Sequence, residues 1–390
     1  MVQKAKKKKS PNGHGCIRQK KDGRWEARMT VPDPETGKSK VKTFSRNKQK
    51  EVVAWMKKMS LDISAGNYVG ERKETVADWI ITWLNEYAKN SVRQTTWESY
   101  ESVARCHIIP VIGNVRLQDL RPEQVQRLYN EKLANGSLKK QGGLSATTVR
   151  YIHAVLDIAF RRAYKNELIA KNIMEKVDLP PAKKHEIKPL TKEELIKFIE
   201  ATRGHKYYTA YLLECYTGIR RGELLALRWQ DIDFENHTIT IKQGLVRTQK
   251  GLTFNEPKTE RSCRKIDLSE KMISELKIHN ARQNQERLAM GAAYCNFDLL
   301  FCNSLGSPLD PRNFTKEFQA VLTDAGLPFI SFHDMRHTHA TLLLAEGENI
   351  KVVQERLGHT TVRMTLDTYA HVQPGMQKQA TERLERALQL

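Results

Sequence analysis

The stretch Thr217-Gly218-Ile219-Arg220-Arg221-Gly222-Glu223-Leu224 decides how the rest of this chain is read. A glycine precedes an arginine in the first turn of a helix, and an acid follows three residues later. Arg220 and Glu223 can then share one helix face, the carboxylate orienting the guanidinium. Alone, the same spacing suits an ordinary surface Arg–Glu pair, so its meaning depends on what accompanies it. Further along stands His333-Asp334-Met335-Arg336-His337-Thr338-His339. His333 and Arg336 fall at i and i+3, so an imidazole and a guanidinium can converge on one oxyanion. His333 and His337 are also four apart, as in a zinc-binding helix. The glutamate of such a helix is missing, however, and Arg336 beside the pair would repel a cation. A third stretch, Leu357-Gly358-His359, is followed by Thr368-Tyr369-Ala370-His371.

Together these groups make a coherent chemical set. Two arginines can each hold non-bridging phosphate oxygens. Two histidines can donate hydrogen bonds or shuttle protons near neutral pH. A tyrosine hydroxyl, with an unperturbed pKa of about 10, becomes a better nucleophile when cations surround it. Attack on phosphorus builds charge on the equatorial oxygens, where fixed guanidiniums stabilise most. No cluster of carboxylates suggests a pair of magnesium ions, so neither metal nor other cofactor is expected.

Charge supports a polyanionic partner. Sixty-five Lys and Arg against 45 Asp and Glu leave +20 on 390 residues. Residues 1–50 hold 16 Lys or Arg and 4 acids, so 16 − 4 = +12 falls in about an eighth of the chain. That excess points to nucleic acid first and a membrane surface second. Apolar runs as short as Trp79-Ile80-Ile81 fall far below the roughly 20 residues of a membrane span, and the lysine-rich start lacks the apolar stretch of a secretory signal. The six cysteines form no CxxC pair, which reads as scattered thiols of a reducing cytoplasm rather than a zinc site.

The chain is too long for one compact domain, and its patterning predicts three in a mainly α, multidomain α+β protein. Residues 1–13 are predicted to be a basic tail without a fold of their own. In 14–66, Trp25, Ala27 and Met29 alternate with charged residues, Val41 and Thr43 do likewise, and helical spacing follows at Val52, Val53, Met56, Met59 and Ile63. The expectation is a small antiparallel sheet with one helix, basic enough to bind DNA. Residues 74–178 read as four or five helices behind caps such as Ser145, separated at Ile109-Pro110, Ile112-Gly113 and Gly142-Gly143. A linker is expected at 179–190, where Pro180 and Pro181 precede Lys183 and Lys184. Thr191 and Glu194 then form a capping-box signature, and 191–390 reads as a mostly helical domain interrupted by a small antiparallel sheet.

In this order the motifs resemble the tyrosine recombinases, in particular the integrases of temperate phages and conjugative transposons. The resemblance spans the chain from about residue 14. It implies that Arg220 and Arg336 clamp a DNA phosphate, that Glu223 supports Arg220, and that His333 and His359 handle hydrogen bonding and proton transfer. Tyr369, 33 residues beyond Arg336, would be the nucleophile that joins a 3′ phosphate. The family's hairpin lysine, which protonates the leaving 5′ oxygen, matches Lys258 in Pro257-Lys258-Thr259, with Lys250 and Lys265 as competitors. Residues 14–66 would be an arm-type DNA-binding domain, with Arg18, Lys20, Arg24, Trp25, Arg28, Lys40 and Lys42 as candidate DNA contacts. Residues 74–178 would be the core-binding domain, and 191–390 the catalytic domain.

The implied activity is integration and excision of a mobile element by two rounds of strand exchange, without metal or ATP. Implied partners are double-stranded DNA at core and arm-type sites and three further copies in a tetramer. The segment Met376 to Leu390 would pack onto a neighbouring copy, although its apolar Leu384, Leu388 and Leu390 suit packing within one subunit as well. The resemblance also admits an excisionase-type directionality factor and a host DNA-bending protein. The expected setting is the bacterial cytoplasm, on the nucleoid. Two alternatives share parts of the site: a type IB topoisomerase, which relaxes DNA without an arm-binding module, and a regulator that binds DNA without chemistry.

Overall fold

The computed structural model describes residues 15–32, 39–65, 68–70, 72–138, 141–182, 189–256 and 263–369, together with Thr381, Glu385 and Leu388; at Pro32, Met364, Asp367, Thr368 and Tyr369 the description covers the backbone alone. The chain divides into two compact units, Met1–Lys183 and Lys184–Leu390. Residues 1–13, Lys258 and most of the segment Met376 to Leu390, all assigned roles above, lie outside the described residues.

The first unit opens with β1 (Cys16–Gln19), β2 (Trp25–Pro32) and β3 (Ser39–Arg46), an antiparallel sheet in that order, followed by α1 (Gln49–Ser64). Register pairs Ala27 with Ile17 on one side and Phe44 on the other. Ala27, Met29 and Val31 are buried on one face together with Val52 of α1, and Phe44 stacks on Trp55 at 5.1 Å. Alternation alone does not say which face turns inward. Val41 and Thr43 pair with Thr30 and Arg28 on the open face, and Val41 is 59% exposed.

The helices after this sheet are α2 (Val76–Thr82), α3 (Gln94–Val103), α4 (Ile109–Ile112), α5 (Pro122–Asn135) and α6 (Ala146–Lys165). Thr75 and Asp78 cap α2 reciprocally. The Ser145 hydroxyl accepts from the Thr148 amide at 3.1 Å to start α6. Residues at helical spacing on α2 and α6 meet in one core, with Trp79, Ile80, Trp83 and Leu84 packed against Val149, Ile152, Leu156, Ala159 and Phe160. The Trp79 indole donates to the Ala159 carbonyl at 3.0 Å, so this ring satisfies its polar edge while it is 2% exposed. Truncating such a residue costs roughly 3–5 kcal/mol.

The expected break at Ile109-Pro110 is not there. Helix α3 runs through a π turn, Ala104–Ile108, into α4, with the Ile109 amide reaching back to the Ala104 carbonyl. A proline has no N–H to give and crowds the preceding turn. One wider turn immediately before it absorbs both problems, and the helix ends at Gly113 instead.

The second unit contains α7 (Lys192–Ala201), α8 (Tyr208–Thr217), α9 (Arg221–Leu224), β4 (Ile232–Asp233), β5 (Thr238–Ile241), β6 (Gly244–Thr248), β7 (Gly251–Asn255), β8 (Arg264–Asp267), α10 (Glu270–Met290), α11 (Pro311–Asp324), α12 (Phe332–Ala345), α13 (Ile350–Leu357) and α14 (Val362–Tyr369). Thr191 and Glu194 form the anticipated capping box. The β region is a three-stranded sheet, β4-β5-β8, plus a separate β6-β7 hairpin, where one sheet was expected. Phe198, Tyr211, Phe314, Phe318 and Phe332 pack as a nearly water-free aromatic cluster that fixes α7, α8, α11 and α12 against one another. That packing holds the ends of α8 and α12 in place for the site described next.

Candidate active site

Helix α8 ends at Gly218, whose φ of 60° a side chain would resist. A Cβ there would also lie 2.6 Å from the His339 ring. The chain turns so tightly that the Gly218 carbonyl is free to accept from Arg336 Nη1 at 2.9 Å. Two residues on, Arg220 caps α9. Its amide donates to Glu223 Oε2 at 3.0 Å and its Nη1 to Oε1 at 2.9 Å, so one carboxylate grips both ends of the residue. The Arg220 side chain remains 40% exposed.

Ser331 and Asp334 cap α12, and the first turn of that helix carries His333 with Arg336 three residues on. Arg336 is 1% exposed. Its second arm, Nη2, donates to the Leu357 carbonyl at 2.6 Å, one of the last carbonyls of α13. Burial, then the charges of Arg220 and Arg264, bring its pKa down to about 10, which still leaves it charged at neutral pH.

Helix α13 stops at Gly358 with φ 66°, and His359 follows. Gln354 clasps this residue twice: the His359 amide donates to the Gln354 carbonyl at 3.0 Å, and the Gln354 side chain donates to the His359 carbonyl at 2.8 Å. His359 Nδ1 lies 2.9 Å from the hydroxyl of Thr365, which is fully buried in α14. Tyr369, one helical turn after Thr365, ends α14, and its side chain is outside the described residues.

Burial lowers the pKa of His333, and the charges of Arg336 and Arg220 lower it further. His359 is brought to about 4, by burial first and then by Arg336 and Arg220. His337, in edge contact with His333 at 4.8 Å, is also brought to about 4. His333, His359, Arg220 and Arg336 therefore share one electrostatic field, with the histidines held neutral.

Two groups in this field had no motif to announce them. Arg264, the first residue of β8 and 8% exposed, donates through Nη2 to Glu223 Oε2 at 2.8 Å. The residue type was visible, but only the alternation Arg264 in, Lys265 out, Ile266 in could have marked it. Glu214 in α8 is 1% exposed, and neither of its oxygens has a partner among the described residues. Burial drives its pKa well above the usual carboxylate range against the pull of Arg336. Arg220 and Arg264 therefore share one hydrogen-bonded carboxylate, Glu223, and among the described residues the hydrogen-bond partners of Arg336 are carbonyls. Such a surplus of fixed positive charge is built for an anion.

Of the competing lysines, Lys250 is exposed in the turn between β6 and β7, and Lys265 is exposed on β8. In the N-terminal sheet the candidate DNA contacts separate. Arg18, Lys20 and Arg28 all pair with Glu26, at 2.8, 3.1 and 2.9 Å, and Arg24 pairs with Asp22. Lys20, Arg28 and Arg18, opposed by burial, hold the Glu26 carboxyl down at about 2. Trp25 and Lys42 fall on the sheet face that packs on α1, as does Lys40 by register. Among the described residues no helix is long and apolar enough to cross a membrane.

Residues 188–376 match the Phage integrase family, and residues 75–133 match the phage integrase N-terminal SAM-like domain. Over 379 residues the chain is 32% identical to the protein of Caldanaerobacter subterraneus named "Tyrosine recombinase XerC-like", across 92% of this chain and 95% of that one. The chain is a tyrosine recombinase of the phage integrase family. The recombinase has the fold of the Tn1549 transposon integrase solved in complex with transposon right end DNA (TM-score 0.66, 25% identity, 80% of this chain and 99% of that one). It also shares the fold of lambda integrase, solved as a tetramer bound to a Holliday junction (TM-score 0.54, 18% identity, 94% of this chain and 99% of that one). It is a site-specific recombinase of the integrase branch, and its chemistry is that of the family: cutting and rejoining DNA through a tyrosine-linked intermediate.

Proposed function

We propose that this recombinase integrates and excises a mobile element, with Tyr369 as nucleophile and Arg220, Arg336, His333, His359 and Lys258 as its catalytic partners. The observation that carries the reading is the arrangement around Arg336. One guanidinium is anchored by the Gly218 and Leu357 carbonyls, between the segment that presents Arg220 and the segment that presents His359. His359 in turn holds Thr365 on the helix that ends at Tyr369. In the proposed step, His333 or His359 takes the proton of the Tyr369 hydroxyl as its oxygen bonds to phosphorus, the bond to the 5′ oxygen breaks, and Lys258 gives that oxygen its proton. Arg220 and Arg336 hold the non-bridging oxygens while charge builds there. The 5′ hydroxyl of a second duplex then displaces the tyrosine, so the bond is conserved and no energy source is consumed.

The same reading takes 14–66 as the arm-binding domain, with Arg18, Lys20, Arg24 and Arg28 toward DNA on the face of the sheet away from α1, while Trp25, Lys40 and Lys42 lie on the face that packs on α1. It takes 74–178 as core-binding, 179–190 as linker, and 191–390 as catalytic. Four copies act on two duplexes in the bacterial cytoplasm, aided by a directionality factor and a host DNA-bending protein. The solved assembly of lambda integrase as a tetramer supports this assembly. The test uses a nicked suicide duplex carrying the element's own end, incubated in EDTA with wild type and Tyr369→Phe. A denaturing gel should show a protein–DNA adduct with wild type alone, and a second duplex should accept the strand. No adduct despite specific binding would overturn the assignment of Tyr369, and an adduct without strand transfer would point to relaxation instead.

A further inference from the structure

Arg264 sits at an inward position of a strand, where a large apolar residue would serve the core without the cost of dehydrating a charge. Replacing buried ionic groups by apolar ones of similar volume is often neutral or stabilising. The purpose of a guanidinium here lies in what it holds. Nη2 takes Glu223 Oε2 at 2.8 Å, the oxygen that also accepts the Arg220 amide. Nε takes the Arg356 carbonyl at 2.8 Å, next to the Leu357 carbonyl held by Arg336. Two arginines thus occupy adjacent terminal carbonyls of α13, groups that a helix end leaves without internal partners.

The following residue makes room for this contact. A Cβ on Gly358 would stand 3.0 Å from Arg264 Cδ and 3.1 Å from Nη1, and His359 comes next. The third donor, Nη1, is buried with no partner among the described residues. On its other side Arg264 lies six residues beyond Lys258. One side chain therefore ties the carboxylate behind Arg220 to the helix end before His359, from the strand that follows the candidate lysine.

We propose that Arg264 is a positioning residue of the strand-cleaving site, acting through Glu223 on Arg220 and through the α13 terminus on His359. The inference rests on the recombinase reading above. Losing it removes one of the three hydrogen bonds that fix Glu223 and leaves the Arg356 carbonyl unheld, and a misplacement of that kind slows the bond-breaking step without weakening the hold on DNA.

The experiment measures single-turnover adduct formation on the nicked suicide duplex, and binding of the same duplex by gel shift, for full-length wild type, Arg264→Gln, Arg264→Lys, Arg220→Lys and the double variant Arg220→Lys/Arg264→Gln. Arg264→Gln is expected to slow cleavage by about 100-fold with site binding unchanged. Because it acts through Arg220, the double variant should be much less impaired than the product of the two single effects. Should the Gln variant lose DNA binding, Arg264→Lys decides: one ammonium cannot span Glu223 and the Arg356 carbonyl together, so it too should be slow. Cleavage at the wild-type rate in either folded variant, or fully multiplicative effects in the double variant, overturns the proposal. If wild type itself forms no adduct, the recombinase reading of the site fails rather than this one.

Discussion

Replacing Glu223 by glutamine keeps the shape of the side chain and removes the charge that Arg220 and Arg264 share. The carboxylate accepts three hydrogen bonds, at 2.9, 3.0 and 2.8 Å. A glutamine offers one oxygen and turns an NH2 toward a guanidinium. The Arg264 side chain is only 6% exposed, whereas that of Arg220 is 40% exposed and can recover much of its loss from water. The cost is therefore dominated by Arg264: a hydrogen bond to a charged group plus a buried cation left short of an acceptor, roughly 3 kcal/mol. For a unit of this size each kcal/mol moves the melting temperature by roughly 2–4 °C, so a drop of about 6–12 °C is expected at pH 7.5. Burial pushes the Glu223 pKa up, but Arg264 and Arg220 outweigh it and the net direction is down. A lowered carboxyl pKa contributes stability that is complete above its unfolded value of 4.5 and lost as pH falls through the folded value. The gap between wild type and variant should therefore narrow below about pH 4. Thermal unfolding of the full chain by circular dichroism at pH 7.5 and near pH 3, below that point, reads both quantities. A variant that melts with wild type at pH 7.5, or a gap of equal size at the two pH values, would refute the claim that this carboxylate neutralises buried cations.

Two other outcomes follow from the same electrostatics. His359, with its pKa at about 4 in the free protein, should show no change in its ring proton shifts between pH 6 and 8 by NMR. Adding site DNA should raise its pKa, because a phosphate offsets Arg336 and Arg220; a midpoint near 6.5 without DNA would contradict the described environment. For Glu214 the sign is reversed: its raised pKa makes the fold most stable below about pH 4.5 and less so as pH rises toward the folded value. Glu214→Gln should therefore match wild type in calorimetric melting at pH 5 and exceed it at pH 8–9, whereas a variant less stable at every pH would mean an ionised, paired carboxylate.

The groups with a motif were legible because their signal is short-range. The arginine and acid of Thr217–Leu224, and the histidine and arginine of the later helix, announce themselves at spacing i, i+3, the repeat of a helix face. The Ser145 and Thr191 caps and the glycines before Arg220 and His359 are local in the same way. The Pro110 misreading shows the limit of a local rule, since a π turn that packing tolerates let the helix run on through it. Arg264 was invisible as a functional group because its partners, Glu223 and Arg356, are 41 and 92 residues away.

The sequence by itself determined the reaction class, through the residue types in their order, and it determined where capped helices such as those after Ser145 and Thr191 start, because caps act within a few residues. The tertiary structure alone decided which carbonyls hold Arg336, which face of the N-terminal sheet stays open, that Arg264 shares the carboxylate of Arg220, and that Glu214 is shut away from water. Those are matters of burial and of contact between segments distant in the chain, and burial sets both the strength of a charge and its protonation. No pattern along the chain carries that information until the chain has packed.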